Sequence, residues 1–222
     1  VHRELDYFDP VTQAAIGDGK VVTTAEYADF GRVLRLTDDN GHARIWRYDH
    51  VGRLAETEDA AGNRVSLTYD PNGNVRETIE TELAAPGATP EQFTTRTEHD
   101  ALDRPSRIVS AAGYIREYGY DSRNNLTVYL DALRSSAAGP GNRVEYGYDG
   151  LNRLVLMRRQ LAEGGAGGGN PTGAISTHQL WDDSSRLTTQ EDGLGNRTTH
   201  LYDALDRKVG TLHAAGTRES VE

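Results

Sequence analysis

The sequence contains no cysteine, one methionine, three phenylalanines and two tryptophans among its 222 residues. Without cysteine, no disulfide can cross-link the fold. The chain also lacks the run of about 20 apolar residues that a transmembrane helix needs, and its first ten residues do not have the pattern of a signal peptide. The net charge of −10 argues against a nucleic-acid partner, because phosphate binding requires clustered basic residues.

The residues that are abundant indicate a different kind of fold. The chain has 11 tyrosines and 24 glycines, and its mean hydropathy is −0.66. This composition is poor material for one deep hydrophobic core. It is typical of an array of repeats in which each unit buries surface against its neighbours.

One short motif recurs along the chain. "YDHVGRL" at 48–54 and "YDPNGNV" at 69–75 are two copies of a Tyr-Asp motif, and eight copies begin at residues 27, 48, 69, 99, 120, 148, 181 and 202. Four of the seven steps between copies are 21 residues long. The three longer steps contain segments rich in Gly, Ala, Pro and Ser, which predict loops near 83–91, 134–141 and 163–173.

A second glycine series divides each unit in two. Glycines stand seven residues before the next motif at positions 41, 62, 113, 141 and 195, where hairpin turns with positive φ are predicted. Between the turns, Val65, Leu67 and Tyr69 alternate with polar residues, as in half-buried strands. The sequence therefore predicts an all-β fold, an antiparallel β-hairpin meander of about sixteen strands with less than about 10% helix.

The repeats also predict the domain organisation. Residues 27–222 form the array of about eight units, and residues 1–26 are interpreted as a degenerate or partial repeat. Gly216 is interpreted as the turn glycine of a further unit, so that residues 217–222 would begin a strand. The chain is therefore expected to be a segment of a longer protein.

The motif Tyr-Asp-x-x-Gly-Arg-Leu, followed by a Gly-Asn turn and the next Tyr-Asp, resembles the YD repeat. This repeat occurs in the Rhs (rearrangement hotspot) family, in the B and C components of Tc toxins and in teneurins, and the resemblance covers residues 20–222. It implies a curved strip of β-hairpins that forms part of a hollow shell around a C-terminal toxin. The family's late Asp-Pro-x-Gly motif has no match at Asp9-Pro10, so no protease role is transferred.

The repeat signature supplies the candidate site residues, all interpreted as structural: Tyr27, Gly31, Arg32, Tyr48, Asp49, Gly52, Arg53, Tyr69, Asp70, Gly73, His99, Asp100, Tyr120, Asp121, Tyr148, Asp149, Trp181, Asp182, Tyr202 and Asp203. The tyrosines are expected to pack on strand neighbours and the aspartates to accept hydrogen bonds from turn amides. A ligand-binding ladder is the alternative. The recurring arginines are expected to pair with neighbouring carboxylates rather than with acidic substrates.

No pattern in the sequence indicates an enzyme, a cofactor or a metal. The doublets Asp38-Asp39 and Asp182-Asp183 are interpreted as solvated turn residues. The primary expectation is a structural segment of a shell, with neighbouring repeats and an enclosed C-terminal toxin of the same protein as partners. The alternative is a cell-surface module that recognises carbohydrate or a surface protein. Either role predicts a secreted or cell-surface location for an exported bacterial protein.

Overall fold

The computed structural model describes residues 2–8, 11–12, 15–85, 87–132, 142–162, 171–213 and 218–219. These residues form eighteen β-strands and one 3₁₀-helix of three residues, Asp29–Gly31. The prediction of an all-β antiparallel fold is confirmed. The number of strands exceeds the expected sixteen because strands also form at both ends, outside the complete units. The described residues contain no helix with the length and apolar character needed to cross a bilayer.

The strands fall into two units, residues 1–97 and residues 98–222. In the first unit each strand pairs antiparallel with the strand before it. The strands are β1 (His2–Phe8), β2 (Ala15–Tyr27), β3 (Val33–Thr37), β4 (Ala43–Tyr48), β5 (Leu54–Glu58), β6 (Arg64–Tyr69), β7 (Val75–Glu82) and β8 (Glu91–His99), whose last two residues belong to the second unit.

The second unit is also an antiparallel meander from β9 onwards. Its strands are β9 (Pro105–Val109), β10 (Ile115–Tyr120), β11 (Leu126–Ala132), β12 (Asn142–Tyr148), β13 (Leu154–Ala162), β14 (Pro171–Trp181), β15 (Leu187–Glu191), β16 (Arg197–Tyr202), β17 (Lys208–Leu212) and β18 (Arg218–Glu219). The predicted strand at 217–222 thus includes β18, and its other residues lie outside the described part.

A β-bulge precedes the aromatic residue of most Tyr-Asp motifs. Arg47 is paired with Glu56, whereas the next residue, Tyr48, is paired with Leu54, so Ala55 is the extra residue of the partner strand. The same shift occurs before Tyr27, Tyr69, Tyr120, Tyr148, Trp181 and Tyr202. Bulges bend a strand and redirect a side chain. The repeat therefore places each motif ring at the same position relative to the following turn.

The two faces of the first unit differ in chemistry. Alternation along the paired strands places Trp46, Tyr48, Leu67 and Tyr69 on one face, which we call the aromatic face. The opposite face, which we call the ion-pair face, is charged, and its arginines pair with carboxylates on adjacent strands. These pairs are Arg47 with Glu56 and Glu58, Arg64 with Glu58, and Arg96 with Glu77.

The second unit repeats this division. Its aromatic face carries Tyr118, Tyr120, Tyr129 and Tyr146. The ring centroids of Tyr118 and Tyr129 are 5.5 Å apart. On the ion-pair face, Arg107 pairs with Glu98 and Glu117, Arg143 and Arg158 with Glu145, and Arg197 with Glu191. The alternation that predicted strands thus also separates two surfaces.

Little of either unit is deeply buried. Among the described residues, only Ile115, Val144, Gly210 and Thr211 are buried, and the exposed fractions of Ile115, Val144 and Thr211 are 7%, 7% and 6%. Within each unit the strands contact their neighbours in the chain. The units are therefore single layers of hairpins, held together by strand pairing and by contacts between turns, as the low hydropathy predicts.

The structure locates the predicted inserts as follows. β7 ends at Glu82 and β8 begins at Glu91, so the described residues between them form the loop predicted near 83–91, except that Glu91 is already in a strand. Residues 134–141 and 163–170 lie outside the described residues. The prediction for 163–173 is wrong at its end, because residues 171–173 belong to β14, where Gly173 pairs with Leu161 and Pro171 with Ala162. Proline is tolerated there because it is the first residue of the strand.

The predicted turn glycines have the expected backbone. Gly41, Gly62, Gly113 and Gly195 have φ of 80°, 88°, 79° and 82°, whereas Gly141 lies outside the described residues. These values fall in the left-handed region, in which residues with a Cβ are strained. The prediction of positive φ at these four hairpins is confirmed.

A matched pair of glycines tests this requirement for positive φ. Both Gly195 and Gly150 have open space where a Cβ would be placed, but only Gly195 has φ in the left-handed region. We expect Gly195→Ala to lower the free energy of unfolding by about 1 kcal/mol. Gly150→Ala should raise it by about 0.4–1 kcal/mol, because alanine has less freedom in the unfolded chain. Urea denaturation of both variants measures the difference, and equal effects would contradict this account of the turns.

Candidate functional site

Seven of the eight Tyr-Asp motifs fold into a turn that the motif aspartate holds. The Asp49 carboxylate oxygen Oδ1 accepts hydrogen bonds from the amides of Val51 at 3.0 Å and Arg53 at 2.8 Å. The Gly52 amide donates to the Asp49 carbonyl at 2.9 Å, and Gly52 has φ of 87°. A tight turn followed by a left-handed residue is a common hairpin connection. The aspartate is needed because its side chain satisfies amides that the strand pairing leaves free.

The left-handed position of this turn accepts several residue types. Gly52 and Gly73 occupy it in two motifs. In the later motifs the same position is held by Asp103, Asn124, Asn152, Ser185 and Asp206, with φ between 61° and 71°. Aspartate and asparagine enter this region more readily than most non-glycine residues. The departures from glycine in the sequence therefore preserve the turn.

An arginine closes most of these turns. Arg53 Nε donates to Asp49 Oδ2 at 2.8 Å. The same bond joins Arg104 to Asp100, Arg153 to Asp149, Arg186 to Asp182 and Arg207 to Asp203, at 2.8, 2.6, 2.6 and 2.7 Å. At two turns the amide of Asn74 or Asn125 replaces the guanidinium. Five of the six arginines in the series thus pair with carboxylates, as expected, and the partner is the aspartate of their own motif; Arg32 is the exception.

The same arginine contacts the next motif. The guanidinium carbon of Arg53 lies 4.3 Å from the ring centroid of Tyr69, within the range of a cation–π contact. Equivalent contacts join Arg32 to Tyr48, Arg104 to Tyr120, Arg153 to Trp181 and Arg186 to Tyr202, at 5.3, 4.4, 5.8 and 5.4 Å. We call each set of turn aspartate, arginine and following ring an Asp–Arg–Tyr cluster. It connects successive repeats.

The ring is fixed by a second contact. The Tyr69 hydroxyl donates to the carbonyl of Leu54, the residue directly after Arg53, at 2.6 Å. The corresponding bonds run from Tyr48 to Val33, Tyr120 to Pro105, Tyr148 to Leu126, Trp181 Nε1 to Leu154 and Tyr202 to Leu187, at 2.8–3.1 Å. Tryptophan can replace tyrosine at 181 because its indole N–H is also a donor. The ring therefore needs both a π face and a hydrogen-bond donor.

Adjacent turns also touch directly. Arg104 Nη1 donates to the side chain of Asn124 at 2.9 Å, Arg186 Nη1 to Asp206 at 2.8 Å, and Arg153 Nη1 to the Asp182 carbonyl at 2.7 Å. Asn124 and Asp206 are left-handed residues of the next turn. The side chains of Asn124 and Asp206, which replace glycine, thus become acceptors for the preceding arginine.

The turn contacts lower the pKa of the aspartates. The side-chain hydrogen bond from Arg104 lowers the pKa of Asp100, and the amide of Arg153 lowers that of Asp149, with burial opposing both shifts. At Asp49 and Asp70 burial, which raises the pKa, is the largest single influence, but the hydrogen-bond donors together outweigh it. The ionised carboxylate is the form that the folded turns favour.

The first motif shows what the aspartate does. Ala28 occupies the aspartate position, and residues 29–31 form a 3₁₀-turn in which both Phe30 and Gly31 have positive φ. Within the described residues, Arg32 Nε is buried without a hydrogen-bond partner. Loss of the carboxylate thus changes the turn and leaves an arginine donor unsatisfied. Tyr27 of the same motif is 48% exposed.

The other candidates are explained by local structure. Asp38 accepts from the amides of Asn40 and His42, and Asp39 accepts from the Val22 amide. Asp182 holds its own turn. Among the described residues, no group of three or more His, Asp or Glu side chains is arranged to hold a metal ion. His99, in the tyrosine position, begins a motif whose Asp100 and Arg104 form the usual pair.

The contact between arginine and the next ring was missed by the sequence analysis, although a signal was present. The ring follows the arginine by 16 residues in four pairs, Arg32 to Tyr48, Arg53 to Tyr69, Arg104 to Tyr120 and Arg186 to Tyr202. A constant separation of this kind predicts contact between repeats. Only the pair Arg153 and Trp181 departs from it, because an insert lies between them.

Parts of the chain are similar in sequence to known proteins. Residues 27–63 and 48–84 match the RHS repeat family model. The double-stranded DNA deaminase toxin A of Burkholderia cenocepacia (strain H111) is 28% identical over 108 residues, which cover 49% of this chain and 7% of that protein. The chain therefore spans a small fraction of the curated relative that it matches.

Solved structures also match, at low similarity. TcdB2–TccC3 without its hypervariable C-terminal region has a TM-score of 0.35 and 12% identity, covering 91% of this chain and 16% of that chain. The Tc holotoxin pore of Photorhabdus luminescens has a TM-score of 0.33 and 12% identity, covering 91% and 17%.

The paired hairpins and their Asp–Arg–Tyr clusters define a β-hairpin repeat array. The RHS repeat model matches residues 27–63 and 48–84, so the resemblance inferred from the Tyr-Asp motif is confirmed.

Supplying the missing aspartate tests the role of the cluster. In Ala28→Asp, the new carboxylate can accept from the turn amides and from Arg32 Nε. We expect the free energy of unfolding of the first unit to rise by about 1–2 kcal/mol. Ala28→Asn, which caps the amides without a charge for Arg32, should give a smaller gain. Chemical denaturation measures both variants, and an Ala28→Asp protein no more stable than the parent would contradict the assignment.

Acid should weaken the array through these aspartates. Their pKa is lower in the folded chain than in the unfolded chain, where it is about 4, so the unfolded state binds more protons. The stabilisation is complete above the unfolded value and is lost as the pH falls through the folded values. We expect the thermal midpoint to fall steeply below about pH 4. Asp182→Asn should flatten this fall, whereas Asp183→Asn, at an exposed neighbouring residue, should leave it unchanged. Identical profiles for the two variants would refute this explanation.

Proposed function

We propose that this chain is a wall segment of a larger protein, and that the wall encloses a C-terminal toxin or other effector of the same protein. The observation that carries the proposal is the single layer of hairpins joined by repeated Asp–Arg–Tyr clusters. Because each repeat is stabilised by its neighbours, such an array can extend in one direction without a core of its own. Its aromatic and ion-pair faces suit two different surroundings, as the two sides of a wall require.

The match of residues 27–63 and 48–84 to the RHS repeat family model supports this proposal. The matching Burkholderia protein is named a toxin. Its deaminase activity is a property of that protein, whereas the present chain would contribute structure. A toxin carried in a wall of this kind acts outside the producing cell, so we also propose a secreted or cell-surface location. Carbohydrate recognition, the alternative left by the sequence, receives no support from the comparisons.

Protease protection tests the proposal. In the full-length parent protein, we expect the C-terminal region to be cut at least about tenfold more slowly than the same region expressed alone, because cleavage requires opening of the wall. Arg53→Ala, which breaks one Asp–Arg–Tyr cluster, should speed the cutting. Arg47→Gln, in the preceding strand β4 and on the ion-pair face, is the matched control. A C-terminal region cut equally fast in the parent and alone would reject enclosure.

A further inference from the structure

We propose that His200 is a pH-sensitive switch in the second unit: in mildly acidic solution its imidazole gains a proton, and the pairing of β16 with β17 weakens. The switch is a local property of these two strands. Its consequence for an enclosed polypeptide, a wall that opens more readily in acid, rests on the proposed function. The observation that carries the inference is a covered imidazole nitrogen beside a strand that supplies cations and no carboxylate.

His200 lies beside a covered part of the sheet. It is in β16 on the aromatic face, two residues before Tyr202, and it pairs with Thr211 of β17. Thr211 and Gly210 are two of the four buried residues in the described part of the chain. His200 itself is half-buried, and its Nδ1 atom is buried without a hydrogen-bond partner among the described residues. One nitrogen of the ring is therefore shielded from solvent.

The neutral imidazole fits this position better than the imidazolium does. A neutral ring can carry its hydrogen on Nε2, which leaves only a lone pair at Nδ1. The protonated ring carries an N–H at both nitrogens, so the buried Nδ1 of His200 would be a donor without an acceptor. An unpaired buried donor is costly, and a charged one costs more. The geometry of the site thus opposes protonation in the folded chain.

The charges next to His200 also oppose its protonation. Lys208 of β17 pairs with Tyr202, and His213 follows Thr211 by two residues, so both basic residues are on the face that His200 occupies. Burial is the largest cause that lowers the pKa of His200, and Lys208 and His213 lower it further. Two nearby basic groups therefore reinforce the effect of the buried nitrogen.

The carboxylates of this region are not placed to compensate a charge on His200. β17 contains no carboxylate, and the single acidic residue of β15, Glu191, pairs with Arg197 on the ion-pair face. Beyond β17, Glu219 of β18 pairs with Thr211, two strand spacings or about 9.6 Å from β16. The two carboxylates of the turn between β16 and β17 pair with arginines, Asp203 with Arg207 and Asp206 with Arg186.

The effect on stability has a definite sign. The pKa of His200 is lower in the folded chain than in the unfolded chain, where it is about 6.5, so the unfolded state binds more protons. Stability is therefore complete above the unfolded value and is lost as the pH falls from there towards the folded value. Over this interval the opening constant rises at most about tenfold for each unit of pH. The loss caused by the turn aspartates occurs below about pH 4, so the two effects are separable.

Amide hydrogen exchange measures the switch in the complete chain. Between about pH 7.5 and pH 5, we expect the protection factors of β16 and β17 to fall at least about threefold more than those of β10 and β11. His200→Leu should abolish this difference, because leucine has no proton to gain. His178→Gln is the matched control, since His178 lies in the same unit on the ion-pair face, where it pairs with Glu191, and this variant should retain the difference.

Two further measurements keep the test decisive if His200→Leu disturbs the packing. Lys208→Gln alters an exposed side chain, and loss of its charge should raise the pKa of His200 and reduce the fall in protection. An NMR titration of the His200 ring in the parent should give a pKa below about 6.5. A His200 pKa at or above that value, an equal fall in protection in His200→Leu and the parent, or an equal fall in all four strands would each overturn the proposal.

This result can be distinguished from failure of the proposed function. A fall in protection that depends on His200, together with a C-terminal region cut equally fast in the parent and alone, would support the switch and reject enclosure. Protection of β16 and β17 that does not depend on His200, together with a protease-resistant C-terminal region, would reject the switch and retain enclosure.

Discussion

The structure depends on the carboxylate of the motif aspartate, which is present in seven of the eight repeats. The carboxylate accepts hydrogen bonds from two amides of its turn, which fixes the turn. It also accepts a hydrogen bond from the arginine whose guanidinium contacts the next tyrosine ring. In the Asp49 turn, Asp49 accepts hydrogen bonds from Arg53, and the Arg53 guanidinium contacts the Tyr69 ring. The Tyr69 hydroxyl in turn donates to the carbonyl of Leu54. Each contact is modest alone. Repetition adds them to the strand pairing that joins hairpins which bury few side chains.

This dependence explains why the motif tolerates some changes and not others. Tryptophan keeps the donor and the π face at position 181, and asparagine keeps a donor for the aspartate at positions 74 and 125. Alanine at position 28 supplies neither charge nor acceptor, and there the turn changes and an arginine nitrogen is unsatisfied. The repeat preserves the chemistry of each contact rather than the identity of each residue.

Much of the fold could be predicted from the sequence, because it depends on local signals. The 21-residue period and the glycines at 41, 62, 113 and 195 locate the strands and turns. The alternation of apolar and polar residues around Leu67 predicts which face of the sheet each residue occupies. The start of β14 at Pro171 could not be predicted, because loop composition does not show how far a ladder extends. The pairing of Arg47 with Glu56 depends on register across strands. That register is shifted by bulges beside the Tyr-Asp motifs, and the strand pairing is needed to see them.

The claim that the arginine joins successive repeats is tested most directly by a double-mutant cycle on Arg53 and Tyr69. Arg53→Gln, Tyr69→Leu and the double variant are compared by denaturant unfolding of the first unit, with Arg47→Gln and Tyr69→Leu as the control cycle. The account predicts a coupling of at least about 0.5 kcal/mol between Arg53 and Tyr69. The control cycle should be additive within about 0.3–0.5 kcal/mol. Additivity of the Arg53 and Tyr69 substitutions would contradict the account.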